Sequence, residues 1–227
     1  MNNRDGLCFT LENSLAAVSA ALKGGFVYAT DGAECKVYRI AECVCGCFYT
    51  TRRPYRRLRF DPGSGGERGT ALSGDCRRIF GFCGDFYETG YLEPDVPSGG
   101  YLTDANVFYS GNTRYYAVST GESAYTYDRC GNRSALLYAP PSGAVIEDFL
   151  AISPDYFAAG YVLNGMKFVS VTQNGNAYNA AVPEDIILRM LIAGDDGIYA
   201  LFGEKYVYNR ITKIYSGGTI TMPSGCF

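Results

Sequence analysis

FLAISPDYFAAGYVLNG, running from Phe149 to Gly165, holds two apolar runs separated by a small polar turn at Ile152 to Asp155 and closed by Asn164-Gly165. Two such runs bounded by turn residues read as a β-hairpin. Immediately after them, Lys167-Phe-Val-Ser-Val171 alternates side-chain character with a period of two, the mark of a half-buried strand. The same pattern recurs outward in both directions. LAAVSAALKGGFVYATDG from Leu15, TALSGDCRRIFGFCGD from Thr70, NVFYSGNTRYYAVSTG from Asn106 and RMLIAGDDGIYALFG from Arg189 align with it at Ser19, Ser73, Ser110, Ser153 and Ala193, a repeat of roughly 43 residues. A second marker keeps the same phase: Pro62, Pro97, Pro141, Pro183 and Pro223 each close the last apolar run of a unit.

Further alternating stretches, Lys36 to Ile40, Ala124 to Asp128 and Lys205 to Asn209, bring each unit to about four strands. A four-stranded unit of this length predicts an all-β propeller blade, and five units predict a single domain of five blades around a central channel. The predicted boundaries are 12–62, 63–97, 98–141, 142–183 and 184–227. On the ISPD turn and the FAAGYVLNG that follows it, the chain resembles the first hairpin of blades in the TolB-like and WD40-like propeller superfamily, without pointing to one family within it. Asn13 to Gly25 also has the Ala content and glycine end of a short helix, but repeat phase favours a strand. Closure is open at this stage. Both Gly6 to Leu11 and Thr219 to Met222 resemble outer strands, one more than simple closure needs.

With 227 residues, 47% hydrophobic, the chain is long enough to bury its own core and too apolar to be disordered. It contains no His, which excludes Ser-His and Cys-His nucleophile pairs and His-based zinc sites. A net charge of −3 argues against whole-protein attraction to nucleic acid or acidic lipid. No apolar run has the length of a membrane span, and the first 22 residues lack the basic start of a signal peptide. Nine irregularly spaced Cys in a chain with its own core predict free thiols and a cytoplasmic protein. No cofactor is expected.

Three groups of residues invite a chemical reading. Carboxylates recur at or just before the predicted first strands: Glu12, Glu67, Asp104, Glu147, Asp148 and Asp185. Similar offsets from the aligned turn would bring them to similar heights at one channel mouth, where like charges repel, raise one another's pKa or attract a cation. Solvated loop acids are the plainer alternative. Arg52, Arg53, Arg56, Arg57 and Arg59 form the densest basic run, an anion-binding patch or a charged blade edge that deters edge-to-edge pairing. Cys43, Cys45 and Cys47, with Cys35 upstream, offer thiolates for a metal, or simply small buried hydrophobes on one strand face. Tyr101, Tyr115, Tyr116, Tyr125 and Tyr161 fall near strand ends and turns, where some could line a binding face.

These residues predict a non-catalytic binding module that presents its channel mouth to a protein segment or a glycan. The resemblance implies a rival. Five-bladed propellers include glycoside hydrolases with acids around a central cleft, and Asp104, Glu147 and Asp148 would then be the acid and its base or nucleophile. A structural component of a larger bacterial or phage assembly is a third expectation.

Overall fold

A computed structural model describes the backbone of residues 7–10, 19–23, 26–30, 34–39, 44–50, 55–61, 68–73, 75–83, 87–96, 100–194, 196–203 and 208–223. Side chains are described for 57, 59, 61, 68–73, 75–83, 88–96, 100–194, 196–203 and 211–223. Every regular element among these residues is a β-strand, and no helix is long and apolar enough to cross a membrane.

Among the described residues, twenty strands form five antiparallel sheets of four. β1 (Leu7–Thr10) is set apart from its chain neighbours. The first sheet holds β2 (Ser19–Lys23), β3 (Phe26–Thr30), β4 (Glu34–Arg39) and β5 (Val44–Thr50) in sequence order. The second holds β6 (Tyr55–Phe60), β7 (Arg68–Ser73), β8 (Ile79–Cys83) and β9 (Tyr87–Leu92). The third is β10 (Leu102–Ser110), β11 (Thr113–Thr120), β12 (Ala124–Tyr127) and β13 (Arg133–Tyr138). The fourth is β14 (Val145–Ser153), β15 (Tyr156–Leu163), β16 (Met166–Gln173) and β17 (Asn176–Ala181). In the fifth, β18 (Ile187–Gly194), β19 (Gly197–Gly203) and β20 (Tyr208–Tyr215) are completed by β1, which pairs antiparallel with β20.

Local sequence explains the turns. Asn164-Gly165 and Asn174-Gly175 link β15 to β16 and β16 to β17, and all four residues have positive φ, between 51° and 80°. Two successive positive φ values make the hairpin turn whose twist matches its strands, and Asn-Gly is the pair that adopts it at least cost. In the third and fourth sheets burial falls from the first strand to the fourth. β10 is buried on both faces along most of its length, whereas β13 is mostly exposed; β14 and β17 repeat the contrast. Contacts between sheets also run through the first strands: β2 meets β6, β6 meets β10, β10 meets β14, β14 meets β18, and β18 meets β2. The described core fills the spaces between consecutive sheets. Leu72 and Ile79 pack on Leu102, Val118 and Tyr127; Phe108 and Ala117 on Ile146, Phe149 and Phe157; Val169 and Val171 on Leu191, Ala200 and Phe202.

The all-β expectation holds, with three revisions of detail. β6 pairs with β7, so residues 55–60 open the second sheet instead of closing the first unit. The TALSGDCRRIFGF hairpin that mimics a first hairpin is therefore β7 and β8, the second and third strands of its sheet. The surplus outer strand disappears because 7–10 supplies it, while the 219–222 stretch makes only the isolated bridge Tyr215 to Ile220. Within the Ala-rich 13–25 segment, the described residues 19–23 are strand.

Candidate functional site

A bulge recurs in the pairing of the first strand with the second in four of the sheets. It falls before Arg57 in β6, Asp104 in β10, Asp148 in β14 and Met190 in β18. Bulges bend a strand and re-aim side chains, and here the residues at and just beyond them meet between the first strands. Arg59 is the hub. Its Nε donates to Asp104 Oδ1 at 3.2 Å, and Nη2 donates to Asp104 Oδ2, to Asp148 Oδ1 at 2.8 Å and to the Phe149 carbonyl at 3.2 Å. Nη1 donates to the Leu191 carbonyl at 2.5 Å. One guanidinium thus joins the second, third, fourth and fifth sheets.

The two carboxylates continue the stitching. Asp104 Oδ2 accepts from Phe149 N at 3.1 Å, and Asp148 Oδ2 accepts from Leu191 N. Each acid thereby binds the first strand of the next sheet. Asn106, two residues on, does the same with its amide: Nδ2 donates to the Ala151 carbonyl at 2.6 Å and Oδ1 accepts from Ala151 N at 3.0 Å. Such groups satisfy backbone donors and acceptors that have no partner within their own sheets.

Arg59, Asp104 and Asp148 are 4%, 0% and 2% exposed, so their ionisation is decided by partners and not by water. Burial pushes the Asp104 carboxyl upward, but the Arg59 guanidinium and the hydrogen bonds from Asp148 and Arg59 outweigh it and hold Asp104 below the usual carboxylate range. Asp148 goes the other way. Burial raises it, the adjacent Asp104 raises it further, and Arg59 offsets only part. Against one buried cation, Asp104 is thus drawn toward its charged form and Asp148 toward its neutral form.

Above this hub lies a cavity of about 460 Å³, bordered by the starts of β10, β14 and β18 and by Lys167 of β16. Its charged groups are Arg57, Glu147, Lys167 and Arg189. Arg57 Nη1 donates to the Arg189 carbonyl at 2.8 Å, and its Nη2 stands 4.0 Å from Asp148 Oδ1. Lys167 Nζ pairs with Glu147 Oε2 at 2.7 Å. A second cavity, about 700 Å³, adjoins the first, since Tyr101 and Val145 line both.

Among the described residues, two of the six carboxylates come together, and there Asp104 raises Asp148 while Arg59 counters both. Asp104 and Asp148 come together below the mouth and are neutralised by Arg59, Glu147 stands at the rim paired with Lys167, and Asp185 is an exposed loop residue. Glu12 and Glu67 lie outside the described residues. Of the Arg run, Arg59 is a buried internal clamp and Arg57 borders the mouth, so neither occupies an outer edge; Arg52 and Arg53 lie outside the described residues, as does the Arg56 side chain. Cys35, Cys45 and Cys47 have described backbone only, in β4 and β5, and Cys43 is outside the described residues. Among the described side chains no cluster could hold a metal, and Cys83 and Cys130 are free thiols. Tyr101 is 54% exposed at the mouth. The other tyrosines pack: Tyr115 stacks on Phe108, Tyr161 on Phe168, and Arg114 and Arg133 lie over Tyr116 and Tyr125.

Sequence reasoning missed Lys167 and Arg189 as mouth residues and Arg59 as the partner of the acids. The signal for Arg59 was present, since an Arg two positions from another in an alternating strand shares its face; the phase error in the second unit concealed it.

No family model matches the chain, and no curated protein matches it. Among solved structures, Raptor from Chaetomium thermophilum aligns with a TM-score of 0.48 at 12% identity, covering 89% of this chain and 20% of that chain. The chain thus spans about a fifth of the length of that protein.

Proposed function

We propose that the five sheets are the blades of a closed β-propeller, and that the propeller is a non-catalytic binding module whose receptive surface is the mouth around Tyr101, Glu147, Lys167 and Arg189. Closure is supported by the cycle of first-strand contacts and by β1 completing the last sheet from the other end of the chain. The binding reading rests on one observation: an open cavity with an exposed aromatic and charged rim sits over a hub that is already internally satisfied. Convergent polar groups beside exposed apolar ones are what a recognition pocket offers. Glycoside hydrolysis, by contrast, needs a carboxyl pair facing the sugar. Asp104 and Asp148 are buried and bonded to Arg59 and to backbone, and the accessible Glu147 is ion-paired.

Peptide and glycan arrays probed with the purified protein test this reading. A hit is expected whose dissociation constant rises about tenfold in Tyr101→Ser with the melting temperature unchanged, the behaviour of an exposed aromatic anchor. Hits insensitive to every mouth substitution, or turnover of a glycoside that is lost in Glu147→Gln, would contradict it.

A further inference from the structure

The mouth is cationic where the sequence suggested it would be acidic. Arg57, Lys167 and Arg189 line it against the single carboxylate of Glu147, which Lys167 already holds. Arg57 spends donors on the Arg189 and Glu147 carbonyls, at 2.8 and 3.4 Å. Arg189 differs. Its Nε is buried without a hydrogen-bond partner, and among the described residues no carboxylate pairs with its guanidinium. One side of its guanidinium lies against Gly203, where a Cβ would collide with Nε, Cζ and Nη2, so among the described residues the group is held by packing and not by an acid.

A planar guanidinium at the edge of an open cavity, with an ammonium lining the same cavity, matches a carboxylate in charge and in fork geometry. A neutral sugar would leave that charge uncompensated. Apolar side chains flank the basic floor: Tyr101, Val145 and Ile187 are 54%, 47% and 39% exposed, and all line the cavity. The adjoining cavity of about 700 Å³ continues past Tyr101 and Val145 to Pro141 and Gly143. Two adjoining cavities of about 460 and 700 Å³ offer more room than a compact anion fills and suit an extended ligand.

We infer that the mouth captures an extended protein segment through an Asp or Glu side chain, whose carboxylate bonds Arg189 and Lys167 while the flanking residues lie over Tyr101, Val145 and Pro141. This rests on the binding-module reading and names its ligand. The acid makes charge-assisted hydrogen bonds to Arg189 and draws Lys167 partly from Glu147; the apolar neighbours cover the rim and exclude water from the ion pair.

Selection from a displayed library of random peptides, made against the folded full chain, tests the inference without prior choice of ligand. Enrichment of Asp or Glu at one position is expected, next to apolar residues. For a synthetic peptide of the selected sequence, Arg189→Gln should weaken binding by about tenfold or more, and replacing the peptide's acid by its amide should cost as much. The two changes together should cost little more than either alone. Lys167→Gln provides a second variant should Arg189→Gln unfold, since Lys167 is partly exposed. Peptides selected without an acid, or bound equally by both variants, overturn the inference. Binding of a neutral glycan that depends on Tyr101 and not on Arg189 would leave the binding module standing and remove the acidic segment. An acidic glycan held through Arg189 would also overturn the assignment to protein. If no peptide or glycan binds, both readings fall.

Discussion

At the scale of single residues, Arg59 decides what the two buried acids do. Acids crowded at an open mouth would gain stability when neutralised, whereas acids clamped to a buried guanidinium lose it. Arg59→Met is therefore expected to destabilise the fold by roughly 3 to 5 kcal/mol, the cost of leaving buried charges without their counterion. Asp104→Asn should cost about 1 to 3 kcal/mol, with Asp148 taking up the charge that Asp104 gives up. Equilibrium denaturation reads both, and a gain in stability in either variant contradicts the clamp. The opposite shifts of the two acids also fix a pH profile. Asp104, depressed by Arg59, contributes stability above the ordinary carboxylate value and loses it as pH falls through its lower folded value. Asp148, raised by burial and by Asp104, contributes below the ordinary value and loses it as pH rises through its elevated folded value. Melting temperature should therefore fall as pH drops below the ordinary carboxylate range, and also as pH rises from that range to about 8, levelling off above it; Asp148→Asn should abolish this second decline alone. A decline between the carboxylate range and about pH 8 that persists in that variant would assign it to another group.

Elements differ in how far their sequence announces them. Hairpins with Asn-Gly turns, such as β15 to β17, carry their strand limits, turn type and facing pattern in the local order of residues. The offset of the carboxylates from the aligned turn also brings Asp104 and Asp148 together, because both follow the same bulge. β6 is harder to read. Tyr55-Arg-Arg-Leu-Arg-Phe60 is rich in charge, the usual mark of an exposed edge, yet it is a first strand whose Arg59 is buried. What makes it internal is the pair of acids on β10 and β14, some 45 and 89 residues away, and no local pattern encodes a partner at that distance. Packing at β7 yields a further test. A Cβ on Gly69 would collide with the Phe82 ring and with the Arg59 carbonyl, so Gly69→Ala should cost about 1 to 3 kcal/mol and disturb the clamp as well as the sheet. A variant as stable as the wild type would show that β6 and β7 do not approach so closely.

For the whole molecule, the proposed ring rests on the cycle of first-strand contacts and on the strand borrowed from the chain start. In the proposed ring, the apolar faces of consecutive sheets would cover one another. The repeat and the four-strand unit were legible because each rests on periodicity. The closing strand was not, since Leu7 to Thr10 and Thr219 to Met222 look alike as short apolar segments and only pairing distinguishes them. The pairing register offers a direct measurement. Cys8 stands opposite Arg210 across β1 and β20, and directly opposed residues in an antiparallel pair fall within disulfide reach. Arg210→Cys, oxidised mildly and digested without reductant, should yield one crosslinked peptide pair joining Cys8 to the introduced thiol. The loop it closes would raise stability by up to roughly 5 kcal/mol in the chain-entropy picture. Recovery of Cys8 as a free thiol, or joined to other cysteines while position 210 stays reduced, would mean that the chain start does not complete the last sheet, and the closed ring would be contradicted.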